Sequence, residues 1–97
     1  MLRHIVLISF KAEATAAQRD AWRVAVTDMC ETSSEVLSFT LGDNIGRGPN
    51  HQDSALVADF RDVAAFRRYI ASAAHLEYVE NHARHVVETI AAIQHEH

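Results

Sequence analysis

The sequence predicts a small α+β domain in the order strand, helix, strand, strand, helix, helix, strand. Three observations lead there. Short runs rich in β-branched and aromatic residues alternate with a period of two near residues 3–10, 35–41 and 54–60. Elsewhere apolar residues recur at helical spacing. All three glycines and the only proline fall between residues 42 and 53, which separates two of the strands.

The first strand, residues 3–10, places His4, Val6, Ile8 and Phe10 on one face and Ile5, Leu7 and Ser9 on the other. Apolar residues on both faces require both to be covered, and one layer of helices covers only one. Thr15-Ala16-Ala17-Gln18 has the form of a capping box. The helix behind it carries Trp22, Ala25, Val26, Met29 and Cys30 as a core-facing stripe, and Thr32-Ser33-Ser34 ends it. Residues 35–41 alternate again, with Val36, Ser38 and Thr40 opposite Leu37, Phe39 and Leu41. After the loop 42–53 comes the third strand, 54–60. Asp62 can cap a short helix carrying Val63, Phe66, Tyr69 and Ile70. Ser72 can cap a last helix in which Leu76, Val79, Ala83, Val86 and Ile90 lie near one face. Residues 90–95 read as a final strand, although Ala91-Ala92-Ile93 would also continue a helix.

Two β-α-β units with helices on the same face give a four-stranded antiparallel sheet of ferredoxin-like topology. The face without helices presents Ile5, Leu7, Leu37, Leu41 or their neighbours. Sheet-to-sheet packing against a second copy, aligned or barrel-like, would bury it. Residues 1–97 are thus expected to form one domain that completes its fold as a homodimer.

Composition excludes several function classes. A formal charge of −4 and a pI near 5.9 remove the electrostatic basis for sequence-independent nucleic-acid binding. The seven histidines add positive charge only below about pH 6.5. Cys30 is alone, so no internal disulfide or multi-cysteine zinc site can form, and its place on the helix stripe reads as a buried, inert thiol. The apolar run at the start is too short for a signal peptide, and no stretch approaches the ~20 apolar residues of a membrane span. The expectation is a cytoplasmic protein without membrane partners. No Gly-x-Ser-x-Gly elbow occurs. Gly46-Arg47-Gly48-Pro49 does not join a strand to a helix as a phosphate-binding loop would, so no nucleotide cofactor is expected.

Arg3-His4-Ile5-Val6-Leu7 with Phe10-Lys11, then Val36-Leu37-Ser38-Phe39 leading into Gly42-Asp43-Asn44, resemble the stress-responsive A/B-barrel (Dabb) domains. So do Ala55-Leu56-Val57-Ala58-Asp59-Phe60 and Tyr69-Ile70-Ala71-Ser72-Ala73-Ala74-His75, in the same order along nearly the whole chain. The resemblance implies a dimeric α+β barrel: two four-stranded sheets face to face, with helices outside. It is a poor guide to chemistry, because one fold hosts many functions. Some members resemble cofactor-free cyclases in which a histidine and a tyrosine transfer protons. That pair matches His75 and Tyr69, and a first-strand histidine matches His4. Ser54 stands where a cyclase has a histidine, and Val26 where it has a tyrosine. Ser72-Ala73 replaces the family's frequent His-Pro.

Four residues are therefore candidates for a ligand pocket: His4, Ser54, Tyr69 and His75, with His75 and Tyr69 as candidate catalysts. His75 falls in the first turn of a helix, where the positive end of the dipole favours a neutral imidazole. The competing role is a structural histidine bonded to the preceding loop. Tyr69 can send its hydroxyl into a pocket or simply pack its ring in the core. His4, on a buried strand face, needs a partner or a cavity. His82 and His85, with Glu88, have a spacing that could hold a metal. No convincing further ligand accompanies them, and no metal is expected. Arg67 and Arg68 could hold an anion or be solvated. The leading expectation is a homodimeric A/B-barrel protein that binds a small apolar or carbonyl-containing molecule between sheet and helices, without a cofactor. The alternatives are a cofactor-free cyclase, lyase or isomerase using His75 and Tyr69, and a cofactor-independent monooxygenase of the related barrel type.

Overall fold

The opening apolar run forms strand β1, Leu2–Phe10, and the sheet is built around it. The computed structural model describes every residue from Met1 to His97. Helix α1 spans Ala16–Thr32, strand β2 Val36–Asp43 and strand β3 Ser54–Phe60. Helix α2 spans Val63–Ala71 and α3 Ala73–Tyr78. The chain then passes through a π-helical turn, Val79–Ala83, and a single short helix, α4, Arg84–Val86, into strand β4, Val87–Glu96. The strands lie in the order β2-β3-β1-β4, with every neighbour antiparallel. This is the ferredoxin-like α+β arrangement expected from two β-α-β units. No helix is long and apolar enough to cross a membrane.

The expected caps are in place. Gln18 N–H donates to Thr15 Oγ1 at 3.1 Å, and Thr15 N–H to Gln18 Oε1 at 2.9 Å, which completes the capping box. Ala65 N–H donates to Asp62 Oδ1 at 2.8 Å, and His75 N–H to Ser72 Oγ at 3.2 Å. On α1, Trp22, Val26, Met29 and Cys30 are buried, as the stripe requires. They pack on Leu2, Ile8, Leu56, Ala58 and Phe60 of the sheet. Phe10 meets the Trp22 ring edge-on at 5.2 Å, and Phe60 meets Phe66 likewise at 5.3 Å, the geometry that aromatic quadrupoles favour.

The opposite face of the sheet carries no helix. Ile5 of β1 lies between Val57 and Ile93, and Leu7 between Ala55 and Ala91. At one end Arg3 makes a two-pronged ion pair with Asp59, at 2.9 and 3.0 Å. Ser38 Oγ and His97 Nε2 also donate to that carboxylate, at 3.2 and 3.1 Å.

The structure corrects three details. Leu41 pairs with Leu56 and packs on the helix-side core rather than on the open face. The reason is a register shift between Val36 and Ser38: Leu37 is the extra residue, and Phe39 and Leu41 beyond it face the helices. Strand β2 also runs on through Gly42 and Asp43, which the sequence assigned to the loop. Finally, Ile90 belongs to no helix. It sits in β4 opposite Ile8, and β4 is longer than residues 90–95, because β1 offers backbone partners from Val87 to Glu96. Pairing satisfies N–H and C=O groups that a continued helix would strand on β1.

Candidate functional site

The covered face of the sheet does not meet the helices everywhere. Beneath α2, α3 and the π-helical turn lies a cavity of about 590 Å³, lined by 19 residues of which 15 are hydrophobic. Its floor is His4, Val6 and Ile8 of β1, Leu56 of β3, and Ile90 and Ala92 of β4. Trp22, Val26 and Met29 form one wall, and Phe66, Tyr69 and Ile70 another. His75, Tyr78, Val79 and Ala83 close it, with Arg84 and Glu88 also contributing. Ile90 points toward this space and is 61% exposed despite facing the helix layer. A size of several hundred Å³ and a mostly apolar lining with a few polar groups are those of small-molecule sites.

Three of the four pocket candidates from the sequence meet here. The His4 ring lies 4.7 Å from Phe66, and Gln94 Nε2 donates to His4 Nδ1 at 3.0 Å, which leaves the ring proton on Nε2. Burial pushes the His4 imidazole below its usual pKa, and the nearby His75 adds to that. His75 is half-buried at the start of α3, and burial lowers its pKa too. Both rings are therefore neutral at pH 7, able to donate from one nitrogen and accept at the other. Tyr69 meets His75 edge-on at 5.1 Å between ring centroids, but the two are not hydrogen-bonded. The buried Tyr69 hydroxyl donates to Met29 Sδ at 3.7 Å. Burial and the neighbouring Cys30 thiol hold this phenol protonated far above the usual range. Cys30 is itself buried and pushed up, so it is not a thiolate nucleophile.

Ser54 is not brought to the cavity. It is 3% exposed, and its hydroxyl donates to the Gly42 carbonyl at 2.9 Å. Beside the Asp43 pairing it fastens the end of the β2–β3 hairpin, with its one hydroxyl proton spent on that carbonyl. The His82, His85 and Glu88 set is also not assembled, and no three His, Cys, Asp or Glu side chains gather as metal ligands. His82 instead lines a shallow groove of about 350 Å³ between α1 and α3 with Asp28, Glu77 and Asn81. Arg68 is engaged by Glu35 at 2.9 Å, and Arg67 is exposed.

Sequence reasoning missed Tyr78. Its hydroxyl accepts a hydrogen bond from Trp22 Nε1 at 2.8 Å, and its ring lies 5.8 Å from that of His75. The signal was present: Tyr78 follows His75 by three residues, so the two share a helix face. The cavity itself left no such signal.

A four-stranded antiparallel sheet in the order β2-β3-β1-β4 with helices on one face is the ferredoxin-like class of α+β domain. The chain belongs to the stress responsive A/B barrel domain family, Dabb, whose model matches residues 2–96. Among solved structures it is similar to a Dabb family protein with a ferredoxin-like fold from Mesorhizobium loti, at 20% identity and a TM-score of 0.85. That match covers 98% of this chain and 94% of the other. It is similar to a dimeric ferredoxin-like protein of unknown function from Thermobifida fusca, at 22% identity and a TM-score of 0.85, over 97% of this chain and 88% of the other. A hydroxynitrile lyase from Passiflora edulis is alike in fold at 20% identity and a TM-score of 0.85, over 97% and 90%. At these identities the likeness establishes the fold alone. No curated protein matches the chain in sequence.

Proposed function

We propose that this chain is a homodimeric Dabb-domain protein that holds a small apolar or carbonyl-containing molecule in the cavity beneath its helices. The observation that carries the ligand reading is the cavity of about 590 Å³, with its apolar lining and two neutral imidazoles, His4 and His75. An apolar molecule gains by leaving water, at about 25 cal/mol per Å² buried, and the imidazoles supply direction at little desolvation cost because they are uncharged. The dimer reading is supported by the helix-free sheet face, where Leu7 is 40% and Ile93 61% exposed, and by the dimeric Thermobifida fusca protein of the same fold. The same reading puts the protein in the cytoplasm, since its lone, buried Cys30 needs no oxidising compartment.

The test compares the unmodified protein and His75→Ala, each with and without short aryl ketones such as 2-acetylnaphthalene. At about a hundred times its dissociation constant a ligand adds roughly 2.7 kcal/mol, a clear thermal shift. His75→Ala should leave the ligand-free melting temperature nearly unchanged and remove the shift. A large loss of stability without ligand, with the shift intact, would return His75 to the scaffold.

A second reading is proton transfer without a cofactor, in which His75 removes a proton α to a carbonyl. The neutral, half-buried imidazole favours it. Tyr69 supports it less, because its hydroxyl is engaged by Met29. Protein-dependent exchange of deuterium into the α position of a bound ketone, lost in His75→Ala, would establish it; absence of exchange with a ketone that binds would dismiss it.

A further inference from the structure

We infer that Tyr78, anchored by Trp22, is the residue that donates a hydrogen bond to an oxygen atom of the molecule held in the cavity. The inference rests on the cavity reading above and goes further, since it names the donor and the ligand feature it selects. Two tyrosines line the cavity, Tyr69 and Tyr78, and they differ in what their hydroxyls already do. The Tyr69 hydroxyl donates its only proton to Met29 Sδ within the core, and Tyr69 is 4% exposed. The Tyr78 hydroxyl accepts from Trp22 Nε1 at 2.8 Å and makes no donation to any group of the chain. Its proton is free, and Trp22, which fixes the oxygen, lines the same cavity.

The indole bond has two consequences. It pins the phenol oxygen, because Trp22 is fully buried and cannot turn. It also polarises the phenol: an O–H whose oxygen accepts a hydrogen bond becomes a better donor. The acceptor best suited to such a donor is an uncharged carbonyl or ether oxygen on an otherwise apolar molecule. A carboxylate would need a cation, and the one arginine on the cavity wall is the exposed Arg84. The neighbouring His75 ring, 5.8 Å from Tyr78, lies near enough to act on the same end of the ligand.

The experiment pairs two probes of matched shape, 2-acetylnaphthalene and 2-ethylnaphthalene, and measures the affinity of each by titration. Tyr78→Phe should weaken the ketone about five- to tenfold and leave the hydrocarbon unchanged, the effect of one neutral hydrogen bond. Thr15→Ala, at a helix cap outside the cavity, should change neither. Because Tyr78→Phe strands the buried Trp22 N–H, the double variant Trp22→Phe/Tyr78→Phe, which removes both polar groups, should show a smaller but still ketone-selective loss relative to Trp22→Phe alone, where the phenol has lost its anchor. Equal weakening of both probes, or an unchanged ketone affinity, would overturn the assignment to Tyr78 while leaving the cavity reading intact. If neither probe binds the unmodified protein, the cavity reading fails and this inference with it.

Discussion

Leu2 and Ile8, on the helix-covered face of β1, are 5% and 3% exposed, whereas Leu7, on the open face of the same strand, is 40% exposed. Across the sheet the contrast continues. Leu56, Ala58 and Phe60 of β3 are buried, while their outward neighbours Ala55 and Val57 are only partly covered. One alternating sequence has produced two apolar faces, and the chain's own helices cover one of them. The comparison teaches that period-two patterning states how many faces must be buried, not what buries them. The covered face keeps a cavity where its helical layer is broken into α2, α3, a π turn and α4, while α1, one uninterrupted rod, supplies a wall of it through Trp22, Val26 and Met29. A π turn is a widened helical turn, and here its Val79 and Ala83 sit on the cavity wall.

The sharpest way to break this comparison is a charge on the open face. Leu7→Asp should abolish the proposed dimer: sedimentation at micromolar concentration should give one chain mass or insoluble protein, against about twice 10.8 kDa for the unmodified chain. Leu76→Asp, on the 62% exposed outer side of α3, should leave the mass unchanged. A stable folded monomer of the unmodified chain would remove the second copy from the account. Next in size is the covered face. Phe60→Ala deletes a fully buried ring and should cost about 3–5 kcal/mol in denaturant unfolding, and a cost under 1 kcal/mol would mean that this core is loose.

Acid separates the two faces more gently. On the covered face, His4 and His75 bind protons less readily folded than unfolded. Below about pH 6.5 the unfolded chain therefore takes up protons that the folded one does not, and stability falls with pH. On the open face, Arg3, aided by His97 and Ser38, holds the Asp59 carboxyl well below the usual range. Its contribution is fully present above about pH 4, the unfolded value, and is lost as pH falls through the folded one. Melting temperatures should thus decline in two windows. A His4→Gln/His75→Gln variant should flatten the first, and Asp59→Asn the second. If the histidine variant retains the decline between about pH 6.5 and 5, these imidazoles are not the groups responsible. Smallest of all, Thr15→Ala removes a cap far from either face and should cost about 1 kcal/mol by thermal melting, with no change in mass or probe binding.

Local chemistry explains what could be read in advance. The Thr15-Gln18 box, the Asp62 and Ser72 caps and the Trp22-Val26-Met29-Cys30 stripe each involve residues within about two turns, where spacing alone decides which groups meet. Three of the four pocket candidates, His4, Tyr69 and His75, came to line one cavity. Ser54 did not, because its fate depends on Gly42, twelve residues away across a hairpin. Leu41 changed faces because one extra residue at Leu37 shifts every later side chain of β2 to the other side.

By itself, then, the sequence determined the order of the elements, their caps and the demand that both sheet faces be buried, because these follow from periodicity and short-range hydrogen bonding. Tertiary structure alone decided where the helical layer breaks, how large a space it leaves, and which of the two phenols keeps a free proton. Those depend on which distant groups come into contact: Met29 with Tyr69, and Trp22 with Tyr78 across 56 residues of chain. No spacing rule reaches that far, since such contacts are set by the packing of whole elements against one another.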